Sequence, residues 1–252
     1  MAAGYDFLSL SDHNTLTQTC DTRLTFIPGI EWNAAGGNEH TGLYAADPAV
    51  IAGHCATTSQ TELLDALAPT AALVILNHPN WQLTPHYRRE ALLATPHYDG
   101  IEIFNGVITR CQGYAIASDK WDYLLANQQR VLGFASDDSH SEQDIGKAWI
   151  AVRAPSREAG AILAAIKAGN FYGSSGVTIT DIRAEDDGIA IETEDGEEIQ
   201  VIADGGMMIH RVFDRQLVFK FGGITASYVR FAVYGKGSAM AWTQPFFPSS
   251  RD

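Results

Sequence analysis

What most constrains this chain is a repeated junction: a short apolar run stops at a residue that can bind a metal or carry a proton. Tyr5-Asp6-Phe7-Leu8-Ser9-Leu10 runs into Ser11-Asp12-His13, and Leu24 to Ile30, broken by Pro28-Gly29, ends at Glu31. Leu73-Val74-Ile75-Leu76 runs into Asn77-His78-Pro79, and Ile101-Glu102-Ile103-Phe104 into Asn105-Gly106. Val131 to Ala135 runs into Ser136-Asp137-Asp138-Ser139-His140. Short continuous apolar runs suit strands buried on both faces, as in parallel sheets. Helical stretches lie between them. Ser59-Gln60-Thr61-Glu62 has the form of a capping box before Leu63, Leu64 and Leu67. Residues 112–129 are long enough for a helix, and Ser156 can cap another that Gly169 stops. Strand and helix in alternation predict an α/β domain, open or closed into a barrel, with functional residues at the C-terminal strand ends.

Beyond Gly173-Ser174-Ser175-Gly176 the period changes to two. Ile189, Ile191 and Thr193 alternate, as do Ile199, Val201 and Ala203, then Leu217, Phe219 and Phe221, then Val229, Phe231 and Val233. Asp187-Gly188, Asp195-Gly196 and Asp204-Gly205 punctuate these runs as hairpin turns. The expected division is therefore an α/β unit over 1–173 and a small antiparallel β domain over 174–252.

Charge narrows the function. With 17 Lys and Arg against 30 Asp and Glu, the net charge is −13. Such a chain repels nucleic-acid phosphates and anionic lipid, so neither nucleic acid nor a membrane is an expected partner. A small anionic substrate stays admissible where a cation or metal answers it. No apolar run approaches the roughly 20 residues needed to span a bilayer. Cys20, Cys55 and Cys111 are too few and too scattered for a disulfide framework or a thiolate metal knuckle. They fit free thiols in a reducing compartment, and a cytoplasmic location is expected.

His13, Glu31, His78, Asp138 and His140 end strand-like runs, and His40 follows the Gly36-Gly37-Asn38-Glu39 loop. Any one of them alone fits a hydrogen-bonded core or surface residue. Six at one topological position would repel or carry large desolvation costs unless a cation sat among them. Imidazole and carboxylate without thiolate suit Zn, Mn or Fe. Glu31 can bridge two cations, one oxygen to each.

Ser11-Asp12-His13-Asn14-Thr15, Pro28-Gly29-Ile30-Glu31, the His40 loop, Asn77-His78-Pro79 and Asp138-Ser139-His140, in this order, resemble the PHP (polymerase and histidinol phosphatase) superfamily of metal-dependent phosphoesterases. The resemblance covers residues 4 to about 176. The segment 169–176, the β tail and Ala241-Trp242-Thr243-Gln244-Pro245 look like a branch that includes carbaryl-hydrolase-type metallohydrolases. The amidohydrolase superfamily fits less well, because it ends its ligands with a lone Asp. The resemblance implies a distorted (βα)7 barrel. It also implies metal positions built from Glu31, His40 and His78, from His13 and His140, and from Glu31 and Asp138. The family's early His-x-His motif has no counterpart here, so the expected barrel lacks its first βα unit. Fewer ions than the family's two to three are then expected. The sheet edge so left open could pair with a second copy in a homodimer.

The resemblance implies hydrolysis of small-molecule phosphate esters by metal-activated water. His13, His140 and Asp138 are the candidate catalytic groups. Arg110 and Lys147 could contact a phosphate, against their reading as solvated surface charges. Asp12, Asp137 and Asn77 could orient the imidazoles. Two other readings stand beside this one. The first is hydrolysis of a carboxyl or carbamate ester, and the second is a metal-binding module impaired by the missing motif.

Overall fold

The computed structural model describes residues 4–18, 23–35, 37–81, 86–111 and 113–248. Cys20 and Gln112, the first residue of the expected 112–129 helix, lie outside them.

Strand β1 (Phe7–Leu8) pairs in parallel with β2 (Thr25–Phe26). Strands β3 (Gly29–Asn33) and β4 (His40–Tyr44) run antiparallel, and Glu31 sits opposite Gly42. Helices α1 (Ala49–Ala52) and α2 (Gln60–Leu67) follow. Ser59 caps α2 by accepting from Glu62 N, as the capping box predicts. Leu63, Leu64 and Leu67 of α2 pack on Ile30, Trp32 and Leu43. Strand β5 (Leu73–Leu76) then leads through α3 (Arg89–Ala94) to β6 (Gly100–Asn105). Helix α4 (Ser118–Ala126) leads to β7 (Leu132–Ser136). It is shorter than the expected span, because Gly113 and Ile116 are taken up in isolated β-bridges and the helix ends at Ala126. Strand β8 (Trp149–Val152), α5 (Ala159–Lys167) and β9 (Phe171–Ser174) complete this part. Ser156 Oγ accepts from Glu158 N (3.4 Å) just ahead of α5, and Gly169 follows the helix with φ +75°.

The expected (βα)7 barrel is not what forms. The order in the main sheet is β3-β4-β5-β6-β7, and among the described residues it does not close into a barrel. The chain between Asn33 and His40 is too short for a helical crossover, so β4 returns antiparallel to β3. Strand β4 also meets β5 antiparallel, and only β5-β6-β7 keep the parallel βα pattern. The predominance of strand over helix is the other half of the correction.

The remaining strands are β10 (Ile179–Glu185), β11 (Gly188–Thr193), β12 (Gly196–Ala203), β13 (Met207–Val212), β14 (Gln216–Lys220), β15 (Arg230–Gly235) and β16 (Met240–Thr243). They build a three-stranded sheet, β10-β11-β14, and a six-stranded one, β13-β12-β15-β16-β9-β8. Turns at Asp187-Gly188 and Asp195-Gly196 fall between strands, as the sequence predicts. Strand β16 pairs with β9, so the six-stranded sheet draws strands from both sides of residue 174. No helix of the described residues is long and apolar enough to cross a membrane.

A buried ion pair fastens α4 to β15. Arg230 donates from Nε and Nη2 to Asp122 (2.7 and 2.6 Å), which also accepts from Tyr228 Oη (2.9 Å). The guanidinium lies over the Trp121 ring. Asp122→Ala strands a buried cation and is expected to destabilise the protein by about 3–5 kcal/mol, measured by urea unfolding. An unchanged midpoint would show that the pair contributes nothing.

Candidate metal centre

Strand β3, the start of β4 and the segments just after β5 and β7 point to one place, so Glu31 is not at a strand end as the sequence suggests. Glu31 lies mid-strand in β3, and its carboxylate is the hub. Its Oε1 is 3.2 Å from His40 Nδ1 and 3.5 Å from His78 Nε2, and its Oε2 is 3.6 Å from His13 Nε2. Asn77 Nδ2 donates to Oε1 (2.9 Å) and so holds the carboxylate. An isolated parallel bridge between His13 and Glu31 brings the 11–14 segment alongside β3.

His78 lies immediately beyond the end of β5, with φ +30°, a left-handed backbone that non-glycine residues rarely adopt. Its backbone N–H donates to Glu102 Oε2 (2.7 Å). Its Nδ1 lies 3.1 Å from the same oxygen. Ser136 Oγ and Asn105 Nδ2 also donate to Glu102, so Glu102 is an acceptor throughout. His78 Nδ1 therefore carries a hydrogen, and the Nε2 lone pair is left for the His40 and Glu31 side. A carboxylate behind an imidazole is the usual support for a metal-binding histidine.

Asp138 follows β7, also left-handed (φ +50°). Its Oδ2 accepts from Asn105 Nδ2 (3.0 Å) and lies 3.7 Å from His78 Nδ1. His140 Nδ1 donates to the Asp138 carbonyl (2.8 Å), which leaves Nε2 open to solvent. His13 is oriented in the same manner. Asn14 Nδ2 donates to Asn33 Oδ1, which marks that oxygen as the acceptor for His13 Nδ1 (3.0 Å).

Buried carboxylates and imidazoles set the electrostatics of the cluster. Glu31, Glu102 and Asp138 are all largely removed from water, and among the described contacts no Lys or Arg reaches them. Burial pushes Glu31 up, but the hydrogen bond from His40, the charge of His78 and the Asn77 amide outweigh it and hold the carboxyl down at about 2. Burial would lower His78, yet the hydrogen bond to Glu102 and the charges of Glu102, Glu31 and Asp138 raise it to about 9. Burial and the neighbouring carboxylate of Glu102 raise Asp138 to about 6. A proton thus does for His78 what a metal ion would do better.

Two sets of donor atoms lie within 4.8 Å of one another: His13, Glu31 and His40, and separately His40, His78 and His86. Nitrogen and carboxylate oxygen in this mixture fit a divalent cation of the Zn, Mn or Fe kind. The sequence-predicted residues His13, Glu31, His40, His78 and Asp138 thus form one chain of contacts, which His140 joins through Asp138. Arg110 and Lys147 do not enter it. Arg110 forks onto the buried Asp144 (2.6 and 2.9 Å), and Asp144 accepts from His140 N (3.1 Å) and Ser141 Oγ (2.9 Å). Arg110 therefore braces the His140 loop. Lys147 is exposed, and its backbone N–H donates to Asp137 Oδ1 (2.6 Å). Asp137 also accepts from Gly146 N, Ala148 N and Tyr5 Oη, while Asp12 accepts from Thr17 Oγ1. Of the three residues expected to orient imidazoles, Asn77 reaches the centre through Glu31.

Sequence reasoning passed over Glu102 as a site residue. Its signal was a lone charge inside the unbroken apolar run Ile101-Glu102-Ile103-Phe104, where a buried carboxylate needs a purpose. His86 stands in none of the sequence motifs. It is buried, and its ring lies 4.5 Å from that of His40 and 4.8 Å from that of His78.

The centre opens into a cavity of about 1110 Å³ lined by His13, Glu31, His78, Asp138 and His140 together with apolar side chains. No curated protein matches the chain. Residues 124–171, from the end of α4 into β9 and including Asp138 and His140, match a family model described as PHP-associated. That match is a similarity over this stretch of the chain alone.

Proposed function

We propose that the chain is a metal-dependent hydrolase acting on phosphate esters of small molecules. The observation that carries this is the contact of Glu31 with His13, His40 and His78, with Asp138 beside His78; of these, His13, Glu31, His78 and Asp138 line one cavity. Bound divalent cations would supply Lewis acidity and a water acidic enough to attack near neutral pH. Glu31 offers oxygens in two directions, Oε1 to His40 and His78 and Oε2 to His13, and stays ionised throughout the neutral range. His140 keeps its Nδ1 hydrogen on the Asp138 carbonyl, so Nε2 is the atom that can take a proton from solvent and, as the imidazolium, hand it to a leaving group. Its side chain is 55% exposed, which supports a transfer at the solvent side of the cavity. With Arg110 engaged by Asp144, the charge of a phosphate is answered by the cations themselves.

One observation favours the second reading, a carboxyl or carbamate ester. Much of the cavity wall is apolar, including Ile75, Phe134, Ile150, Val152, Leu163 and Ile166. Such a wall suits a neutral substrate.

The test is an assay of the purified chain, loaded in turn with Zn, Mn and Fe(II), against p-nitrophenyl phosphate, bis-p-nitrophenyl phosphate and 1-naphthyl carbamate. Metal-dependent release of p-nitrophenol is expected. Turnover of the carbamate alone would transfer the assignment to the second reading. Bound metal without turnover of any of the three would leave a metal-binding module and overturn the hydrolase.

A further inference from the structure

We propose that His86 is a fourth protein ligand of the cation held by His40, His78 and Glu31, so that this position is a closed, all-protein shell. The proposal rests on the metal-centre reading above and goes beyond it, because none of the sequence motifs contains His86.

Three features carry it. Donor atoms of His40, His78 and His86 lie within 4.8 Å of one another, the span of ligands around one ion. The ring of His86 is only 8% exposed and is held flat against Trp81, with 10° between planes and 5.9 Å between centroids. Its Nδ1 is buried without a hydrogen-bond partner among the described residues. A buried unpaired nitrogen costs about 1–3 kcal/mol, and a metal ion satisfies it. The three imidazoles also compete for one space. His78 Nε2 and His40 Nδ1 stand 3.0 Å apart, and Glu31 Oε1 is within 3.5 Å of both. One cation accepts all these lone pairs together, where hydrogen bonding among them satisfies only some.

Three nitrogens and one oxygen would make four protein ligands, the number a closed site uses with no position kept for water. The open coordination then belongs to the His13 side, where Glu31 Oε2 points and where Asp138 and His140 line the cavity. The two positions would differ in kind, one a resident ion that holds β4 and β5 together and the other exchangeable.

The full chain tests this by cobalt titration, with metal content and visible absorption as readouts. Wild type is expected to bind a first Co(II) tightly with an intense four-coordinate spectrum. His86→Gln should bind it at least about tenfold more weakly, the lower end of what losing a mere supporting partner costs. It should also show an altered spectrum, and His86→Gly should recover the ion when imidazole is added. X-ray absorption on the zinc-loaded wild type, which needs no variant to fold, should count three imidazoles around the tight ion. Unchanged affinity and spectrum in His86→Gln, or a count of two imidazoles, overturns the His86 assignment and leaves the metal centre standing. A wild type that binds no ion overturns both.

Discussion

Glu31→Gln is expected to leave a folded protein that has lost its metal centre. The amide keeps the shape of the side chain, and its oxygen can still accept from Asn77 Nδ2, so the far-ultraviolet circular dichroism should not change. What disappears is the charge and the second coordinating oxygen between His13 on one side and His40 and His78 on the other. Loss of a partner that merely supports a ligand costs about 10–100-fold in metal affinity or activity. Removal of the hub should exceed that, with metal affinity down by at least about a hundredfold and hydrolysis down in parallel. Metal content after dialysis and turnover of the preferred ester are the measurements. A variant with normal metal content would remove Glu31 from the centre.

Stripping the metal should make stability fall as pH rises through the neutral range. His78 has its pKa raised from 6.5 to about 9 by Glu102, Glu31 and Asp138, against the effect of burial. Folded, it binds a proton that the unfolded chain has already released. That stabilisation is complete below about pH 6.5 and is lost as pH climbs through 9. Glu31 is ionised in both states in this window. Asp138, near 6 when folded, and His86, lowered to about 3 by burial and by the charge of His78 when folded but near 6.5 unfolded, finish titrating at its lower end, where they change stability less than His78 does across it. The thermal midpoint of chelator-treated protein should therefore drop between pH 6.5 and 9, while the metal-loaded protein should stay flat. The same linkage makes binding release a proton, so the apparent affinity should rise about tenfold per pH unit up to the raised pKa. Calorimetry in buffers of different ionisation heat reads that proton directly. Release that ceases near pH 6.5 would mean that the carboxylates do not hold His78 charged.

Much of the centre could be read from the sequence because of where its residues stand. His13, His78, Asp138 and His140 follow apolar runs, and a ligand at a strand end announces itself by breaking the run. Glu102 does not, for it sits within a run buried on both faces, where no alternation marks which way a side chain points. His86 follows a polar stretch without periodicity, and only the tertiary fold brings it against His40. The parallel strands β5, β6 and β7 were legible from continuous hydrophobicity, and the tail strands from their alternation. The return of β4 along β3 was not. The six residues between them looked like a ligand-bearing loop, whereas their shortness forces an antiparallel reversal and with it an open sheet. The missing His-x-His said nothing about closure, because the antiparallel pair already departs from the repeating βα pattern.

The left-handed backbones of His78 and Asp138 have a consequence for anyone hoping to harden this protein. Each conformation costs about 1–3 kcal/mol, and glycine would relieve it at once. At His78 the lost contacts with Glu102 and Glu31 oppose that gain, so a screen that rewards heat resistance alone will drift towards glycine at Asp138. It will return molecules that survive boiling better and have discarded a group that gave them a use.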